Sequence, residues 1–201
     1  MPACTELIEA GDQEPIVVSQ ARVNRAMARY AAGKLIESFE DASAAIDAYP
    51  ENVQAYALRG MLWQAAGVFD AALADFDAAI RIDPKHAPAW NNRATLFAHL
   101  KRYDEAIRDL DSAIDIAPEY PRGHYNRGVV RAERGEFDLA MRDLTSAVTL
   151  DPEYWEAFAA RGRLNAHLRR LPAARADFDK AIALNPADGG LREERAKLGR
   201  R

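Results

Sequence analysis

The feature that most constrains this fold is a period of 34 residues that runs through most of the chain. Proline recurs at that spacing, at Pro50, Pro84, Pro118, Pro152 and Pro186. When each proline is counted as position 32 of a unit, position 27 is alanine in every unit and position 8 is alanine or glycine. Such a period indicates one supersecondary unit that is repeated and stacked along the chain.

Each unit reads as two helices. Apolar residues lie three and four positions apart, as in Phe69, Leu73 and Phe76, which is the spacing of one helix face. Glycine separates the two halves in three units, where the end of a helix favours it, and Lys101 and Arg169 replace it in the other two. The recurring proline ends the second helix. We predict first helices near 20–32, 53–66, 87–100, 121–134 and 155–168, second helices near 35–48, 70–82, 104–116, 137–149 and 172–184, and no strands.

Small residues at positions 8 and 20 would let the two helices of a unit approach closely, while aromatic residues fill the space beside them, as in Trp90, Phe97 and Tyr103. In these features the chain resembles the tetratricopeptide repeat (TPR) family, over residues 19–188. Its richness in Ala and Arg indicates the bacterial type of that family. The resemblance implies an all-α fold, a right-handed superhelix (solenoid) of five hairpins with short end-capping segments. The repeats are 19–52, 53–86, 87–120, 121–154 and 155–188.

The two ends of the chain depart from the repeat. In the first unit Arg22 and Arg29 occupy positions that are usually large and apolar, so we interpret it as an atypical or capping repeat. Residues 1–18 are interpreted as a remnant or capping helix over 3–10, closed by Gly11, followed by a loop over 12–18. Residues 189–201 are predicted to form a short polar capping helix over 191–198 and a basic tail, since stacked repeats need a polar outer face at their ends.

Composition excludes several classes of function. The 201 residues carry 27 Lys and Arg against 31 Asp and Glu, a net charge of −4, so we expect no nucleic-acid partner. The single cysteine, Cys4, excludes an internal disulfide and a multi-cysteine zinc site. No uncharged apolar stretch is long enough to span a membrane, so we expect no membrane insertion. The predicted location is cytoplasmic, or periplasmic if a signal peptide has been removed.

No motif for catalysis is found. Glycine-rich phosphate loops and a His-Glu-x-x-His pattern are both absent from the sequence. His99 and His167 share position 13 but lie two repeats apart, too far to share a metal, and nothing near Cys4 in the sequence would activate its thiol. We therefore expect a chain that is not an enzyme and that holds no cofactor and no metal.

In the TPR family, positions 2, 5, 6, 9, 12 and 13 line a concave groove that binds peptides. The resemblance therefore implies a peptide-binding groove formed by Asn24, Met61, Asn91, Asn92, His99, Arg122, Tyr125, Asn126 and Arg163. Position 6 is asparagine in three units, and an amide can donate to and accept from a peptide backbone at once. The alternative is that these amides bond to neighbouring helices. Position 5 contains no lysine, which argues against the subclass that clamps the carboxylate of chaperone tails.

Position 7 is arginine and position 23 is aspartate in every unit. The pattern predicts a ladder of ion pairs that braces the hairpins, with Arg59, Arg93 and Arg127 each within roughly 4 Å of a carboxylate. If the pairs are exposed, an Asp109→Ala change should alter stability little, and the cost should grow if they are buried. The alternative is a strip of arginines that recruits an acidic partner.

Taken together, the sequence predicts a non-catalytic protein–protein interaction scaffold that binds a peptide segment of an unidentified partner protein in its groove. The alternative is a structural module that assembles with copies of itself into a homo-oligomer.

Overall fold

The computed structural model describes residues 2–10 and 13–199, all of whose regular structure is helical. The helices are α1 (Pro2–Glu9), α2 (Pro15–Ala31), α3 (Leu35–Ala48), α4 (Val53–Ala65), α5 (Phe69–Ile82), α6 (Ala87–His99), α7 (Tyr103–Ile116), α8 (Pro121–Glu133), α9 (Phe137–Leu150), α10 (Trp155–His167), α11 (Leu171–Leu184) and α12 (Gly189–Lys197). None of the described residues lies in a strand, as predicted. The chain divides into two compact units, an N-terminal unit (Met1–Leu96) and a C-terminal unit (Phe97–Arg201).

Helix α12 begins two residues earlier than predicted, at Gly189. The other predicted helices agree with the observed ones to within one residue at each end, except at the start of α2. That helix begins at Pro15, so the predicted loop over 12–18 is wrong for its last four residues. The reason is that proline suits the first turn of a helix, where its missing N–H would have no partner. The predicted closing residue Gly11, and the tail residues Arg200 and Arg201, lie outside the described residues.

In the N-terminal unit, α2 packs against α3 and α4 packs against α5 as helical hairpins. Small residues allow the close approach. Ser38 at position 20 donates from its hydroxyl to the carbonyl of Ala26 at position 8, at 2.8 Å. A Cβ built on Gly60 would lie 2.6 Å from the ring of Phe76, which is fully buried. Positions 8 and 20 therefore form the contact between the helices of a hairpin.

In the C-terminal unit, α8 packs against α9 and α10 packs against α11. A Cβ on Gly128 would lie 2.8 Å from Leu144 and 3.2 Å from the carbonyl oxygen of Ala140, so the same contact recurs here. Helix α12 covers the last hairpin through Leu191, which is 1% exposed and packs with Phe178. The carboxylate of Asp188 caps α12 by accepting from the backbone N–H groups of Gly190 and Leu191.

The turn between the two helices of each hairpin has the same left-handed backbone in all five repeats. Glycine occupies it at Gly33, Gly67 and Gly135, with φ between 73° and 78°. Lys101 and Arg169 occupy it in the other two repeats and adopt a φ of 60°. The register therefore imposes this conformation even where the residue carries a side chain that disfavours it.

The predicted ion-pair ladder is confirmed. Within the hairpins of the first, second, fourth and fifth repeats, the position 7 arginine donates to the position 23 aspartate. The pairs are Arg25–Asp41 at 2.6 Å, Arg59–Asp75 at 2.8 Å, Arg127–Asp143 at 2.8 Å and Arg161–Asp177 at 2.7 Å. All five position 23 aspartates are buried, between 2% and 5% exposed. The ladder is therefore partly buried, which is the case in which losing a carboxylate is costly.

A second set of pairs, which the sequence did not predict, joins successive hairpins. The position 7 arginine also donates to the acid at position 25 of the preceding unit. The pairs are Arg93–Asp77 at 2.5 Å and Arg127–Asp111 at 2.6 Å, and Arg195 makes the same contact to Asp179 at 2.7 Å. These pairs occur where position 25 is aspartate. At the other two repeats that position holds Ser43 and Thr145.

Position 11 explains one of the two arginines that look atypical in the first repeat, Arg29. Arg29 donates to the buried carboxylate of Asp41 at 2.7 Å, as Arg131 does to Asp143 at 2.7 Å. In the fifth repeat the amide of Asn165 donates to the position 23 carboxylate at 3.0 Å. A polar residue at position 11 therefore reinforces the ladder.

Candidate functional site

A cleft of about 450 Å³ in the C-terminal unit is lined by α8, α9 and α10. We call it the C-terminal cleft; its lining residues are Tyr125, Val129, Ala132, Glu133, Phe137, Leu144, Ala160, Arg163, Leu164 and His167. Its α8 residues occupy positions 5, 9, 12 and 13 of the fourth repeat. Leu144 and Leu164, which are 1% and 5% exposed, close its floor. The cleft therefore combines an apolar floor with polar groups along its walls.

Aromatic side chains hold the walls of the C-terminal cleft in place. The ring of Tyr125 lies 5.1 Å from that of Tyr154, centroid to centroid, and Phe137 lies 4.7 Å from the imidazole of His167. Burial, and to a smaller extent the nearby Glu156 carboxylate, raise the pKa of Tyr125, so its phenol remains a neutral donor at physiological pH. A tyrosine fixed in this way offers apolar surface and one hydrogen bond at little entropic cost.

Arg163 lies at the C-terminal cleft with two of its guanidinium nitrogens engaged in hydrogen bonds. Its Nε donates to Oε2 of Glu194 in α12, and its Nη2 donates to Oε1 of the same carboxylate, both at 2.8 Å. This hydrogen bond is the main reason that the pKa of Arg163 is raised. The predicted carboxylate-binding group is thus already paired within the unit, although half of its side chain (53%) remains exposed.

Arg122 does not line the C-terminal cleft. It lies beside a smaller polar depression of about 280 Å³, formed with Tyr120, Pro121, Asp151, Glu153, Tyr154 and Glu156. Acidic side chains thus line the same depression as this arginine.

The N-terminal unit has a cleft of about 430 Å³ at the equivalent helix faces. This N-terminal cleft is lined by Met27, Tyr30, Ala31, Gln54, Ala57, Leu58, Met61 and His86. Met27 is 55% exposed, and Met61 faces it from α4. The Nδ1 atom of His86 is buried without a hydrogen-bond partner, and burial lowers the pKa of this imidazole. Flexible methionines suit a surface that adapts to different apolar side chains.

The remaining predicted groove residues are scattered. Asn24 is exposed and accepts a hydrogen bond from Gln20 at 3.1 Å, beside a different groove between α1 and α2. Asn91 is only 4% exposed, so its amide offers almost no surface to a ligand and we leave it out of the proposed site. Asn92 and Asn126 are half-buried, and His99 is exposed. Of the predicted set, the C-terminal cleft brings together Tyr125 and Arg163, and the N-terminal cleft contains Met61.

Several residues that line the clefts are not among those predicted from the sequence. Met27 and Tyr30 occupy positions 9 and 12 of the first repeat, which are groove positions of the family, so the same register could have found them. Phe137 and His86 lie outside those positions. Their place at the clefts follows from the hairpin packing, and no local pattern indicates it.

Across residues 2–10 and 13–199, no three His, Cys, Asp or Glu side chains come together as a set that could hold a metal ion. Within the same residues, no helix combines the length and the apolar character that crossing a membrane requires.

Stacked hairpins of 34 residues, with clefts on the faces of their first helices, define an α-helical repeat protein. One family model described as tetratricopeptide repeat matches residues 62–124, and a second matches residues 23–87 and 125–189. The chain belongs to the tetratricopeptide repeat family. That family consists generally of non-catalytic scaffolds that bind protein partners. No curated protein sequence matches this chain.

Solved structures show the same fold. A thermophilic TPR protein of Thermus thermophilus superposes with a TM-score of 0.80 at 23% identity, over 90% of this chain and 98% of that one. PilW, a widely conserved type IV pilus biogenesis factor, superposes with a TM-score of 0.79 at 25% identity, over 90% of this chain and 86% of that one. YrrB, a TPR protein with an unusual peptide-binding site, superposes with a TM-score of 0.62 at 21% identity, over 97% of this chain and 98% of that one. The predicted fold class, an all-α repeat superhelix, is confirmed.

Proposed function

We propose that this chain is a non-catalytic interaction scaffold and that its C-terminal cleft binds a peptide segment of a partner protein. The observation that carries the proposal is the cleft itself, an open apolar concavity at the groove positions of two successive first helices. Pockets of this kind, apolar with a few convergent polar groups, are the usual form of a binding site.

The lining indicates what kind of peptide would fit. An apolar side chain of the ligand would enter between Val129, Phe137 and Leu164. The phenol of Tyr125 would hydrogen-bond to the peptide backbone at the mouth of the cleft. Because Arg163 is paired with Glu194, a ligand carboxylate would have to displace that pair, so we expect selection for an apolar anchor more than for an acidic one.

Two supporting points come from elsewhere in the molecule. The N-terminal cleft presents Met27 and Met61 at equivalent positions, so a second apolar anchor has a place to bind. YrrB, which shares the fold, is described as having an unusual peptide-binding site, and this supports the proposal that the present chain binds a peptide.

Several expectations from the sequence remain proposals. They are the division into terminal segments 1–18 and 189–201 around the repeats at 19–188, the cytoplasmic location, and the contribution of Asn24, Asn92, His99, Arg122 and Asn126 to binding. Self-assembly, the alternative function, is supported by a different surface, at the apolar end of the N-terminal unit.

The proposal is tested with a peptide selected against the whole chain from a random display library, with binding measured by fluorescence anisotropy. Val129→Lys places a charge in the cleft and should weaken binding by about 10- to 100-fold, the range of a central interface residue. Leu139→Lys, which changes an exposed apolar residue of α9 outside the cleft, is the matched control and should bind as the wild type does. Equal affinities for all three chains would refute the assignment.

A further inference from the structure

Helix α12 has the register of a first helix. Gly189 follows the fifth repeat directly and is position 1 of a sixth unit, which makes Arg195 position 7 and Ala196 position 8. Arg195 donates to Asp179 at 2.7 Å, the same pair that joins earlier first helices to an acid at position 25 of the preceding unit. The small residue at position 8 is also kept. No described residue supplies the second helix that would complete this hairpin.

Helix α1 has the register of a second helix. In the 34-residue count, Cys4 is position 20, where the other units have Ser or Ala, and Glu9 is position 25. Arg25 of α2 donates to the Thr5 hydroxyl at 3.2 Å. The pKa of Arg25 is raised first by its hydrogen bond to Asp41, and the Glu9 carboxylate raises it further. Helix α1 thus contacts α2 as a second helix contacts the first helix of the next hairpin. No described residue supplies the first helix that would pair with α1 in a hairpin.

The place of that first helix is an open apolar groove of about 530 Å³ between α1 and α2. We call it the terminal groove; it is lined by Cys4, Leu7, Ile16, Val17, Gln20, Ala21 and Asn24. Leu7, Ile16 and Val17 are 41%, 49% and 38% exposed and line the same groove, so they form one exposed apolar patch, which is the kind of surface that marks an interaction site. Within each unit, the corresponding space between a second helix and the next first helix is filled by a first helix. Helix α2 contacts both α3 and α4 in this way, and α8 contacts both α9 and α10.

The charges of the two ends are complementary. Residues 1–18 contain four acidic side chains and no lysine or arginine, whereas residues 189–201 contain five basic side chains against two acidic ones. In the described part of these segments, Glu6 and Glu9 are exposed on α1, and Arg192 and Lys197 are exposed on α12. Opposite charge at the two ends favours an encounter between different ends over an encounter between like ends.

We propose that α12 of one copy docks in the terminal groove of a second copy, where it takes the place of a first helix beside α1. The contact is head-to-tail, and each copy keeps one unused end of each kind for a further copy. Positions 8 and 20 touch within the hairpins of this chain, as the bond from the Ser38 hydroxyl to the Ala26 carbonyl shows. Ala196 of one copy therefore lies against Cys4 of the next.

The register can be tested by cross-linking, because Cys4 is the only cysteine. Ala196→Cys should give a ladder of disulfide-linked dimers, trimers and larger species under mild oxidation, resolved on non-reducing gels. The same change combined with Cys4→Ser should give no ladder. Wild-type protein, which can link only Cys4 to Cys4, should remain a single-chain species. Cross-linking of the wild type to dimers, or none in the Ala196→Cys chain, would overturn the proposal.

A second measurement does not depend on oxidation. Light scattering after size exclusion, over concentrations up to about 1 mM, detects contacts with a millimolar Kd. Val17→Arg blocks the groove and Ala196→Glu blocks α12, so each variant alone should be a monomer. Mixed in equal amounts, the two variants should form a 1:1 dimer and nothing larger. Only α12 of the Val17→Arg chain and the groove of the Ala196→Glu chain remain free to bind each other. Val68→Arg, an exposed apolar residue away from both ends of the chain, should assemble as the wild type does.

The other occupants of the groove give different results. A symmetric contact between two N-terminal ends would be abolished by Val17→Arg and unaffected by Ala196→Glu. A groove that is reserved for another protein would leave the wild type monomeric at every concentration. Either result would overturn the head-to-tail contact. The peptide affinity of the C-terminal cleft is measured separately, with the monomeric variants.

Discussion

The ion-pair ladder predicts that the two carboxylates bound to one arginine differ sharply in what they contribute to stability. Arg127 donates to Asp143, whose side chain is 5% exposed, and to Asp111, whose side chain is 46% exposed. Asp143 also accepts from Arg131 at 2.7 Å. Asp143→Ala therefore removes the acceptor of two guanidinium groups at once, while Asp111→Ala removes only an exposed partner of one.

The magnitude follows from burial. Removing one partner of a fully buried pair costs about 3–5 kcal/mol. Arg127 and Arg131 keep 17% of their side-chain surface exposed, so water compensates in part, and we expect a loss of about 3 kcal/mol for Asp143→Ala. The pair between Arg127 and Asp111 should contribute about 0–1 kcal/mol, as exposed pairs do. For a chain of this length, about 3 kcal/mol corresponds to a Tm lower by about 6–12 °C.

The assay is urea denaturation followed by circular dichroism, with thermal melts as a second probe. Unchanged slopes of the transition would show that the midpoint shift reports stability alone. Asp111→Ala serves as the matched control, because it changes the same residue type beside the same arginine. If the two variants lost equal stability, or Asp111→Ala lost more, the argument from burial would be wrong.

Two other predictions concern single residues. Burial lowers the pKa of His86, so the unfolded chain takes up a proton at higher pH than the folded one, and stability should fall as pH drops from about 7 to 5. His86→Gln should reduce that fall in denaturation midpoints, and an unchanged fall would exclude His86 as its source. Lys101→Gly and Arg169→Gly should each stabilise the chain by about 0.5–1 kcal/mol, because glycine adopts the left-handed turn without strain. Lys101→Ala, which keeps a Cβ, should show no such gain in the same denaturation assay.

The sequence predicted the hairpins well because their register depends on residues that pack locally. Proline at position 32 and small residues at positions 8 and 20 determine where helices end and where they touch. Lys101 illustrates the strength of this register, since it adopts a φ of 60° in a turn that glycine usually occupies. The start of α2 was missed because Pro15 can open a helix as well as belong to a loop.

The site was less predictable because its contacts depend on how several helices pack together. Arg163 pairs with Glu194, which is 31 residues away, and only the placement of α12 brings them together. Asn91 occupies a groove position of the family and is nevertheless buried. His86 reaches the N-terminal cleft from the connection between α5 and α6. The register therefore indicated the faces of the first helices, and packing decided which of their side chains a ligand could reach.

The measurement that tests the central claim most directly is an NMR titration of the isotope-labelled chain with the selected peptide. If the C-terminal cleft is the binding site, the largest amide shift changes should map to α8 and α10, around Tyr125, Val129 and Leu164. The Val129→Lys variant should lose these changes, and the Leu139→Lys variant should keep them. Shift changes that leave α8 and α10 unaffected, or identical changes in both variants, would contradict the account.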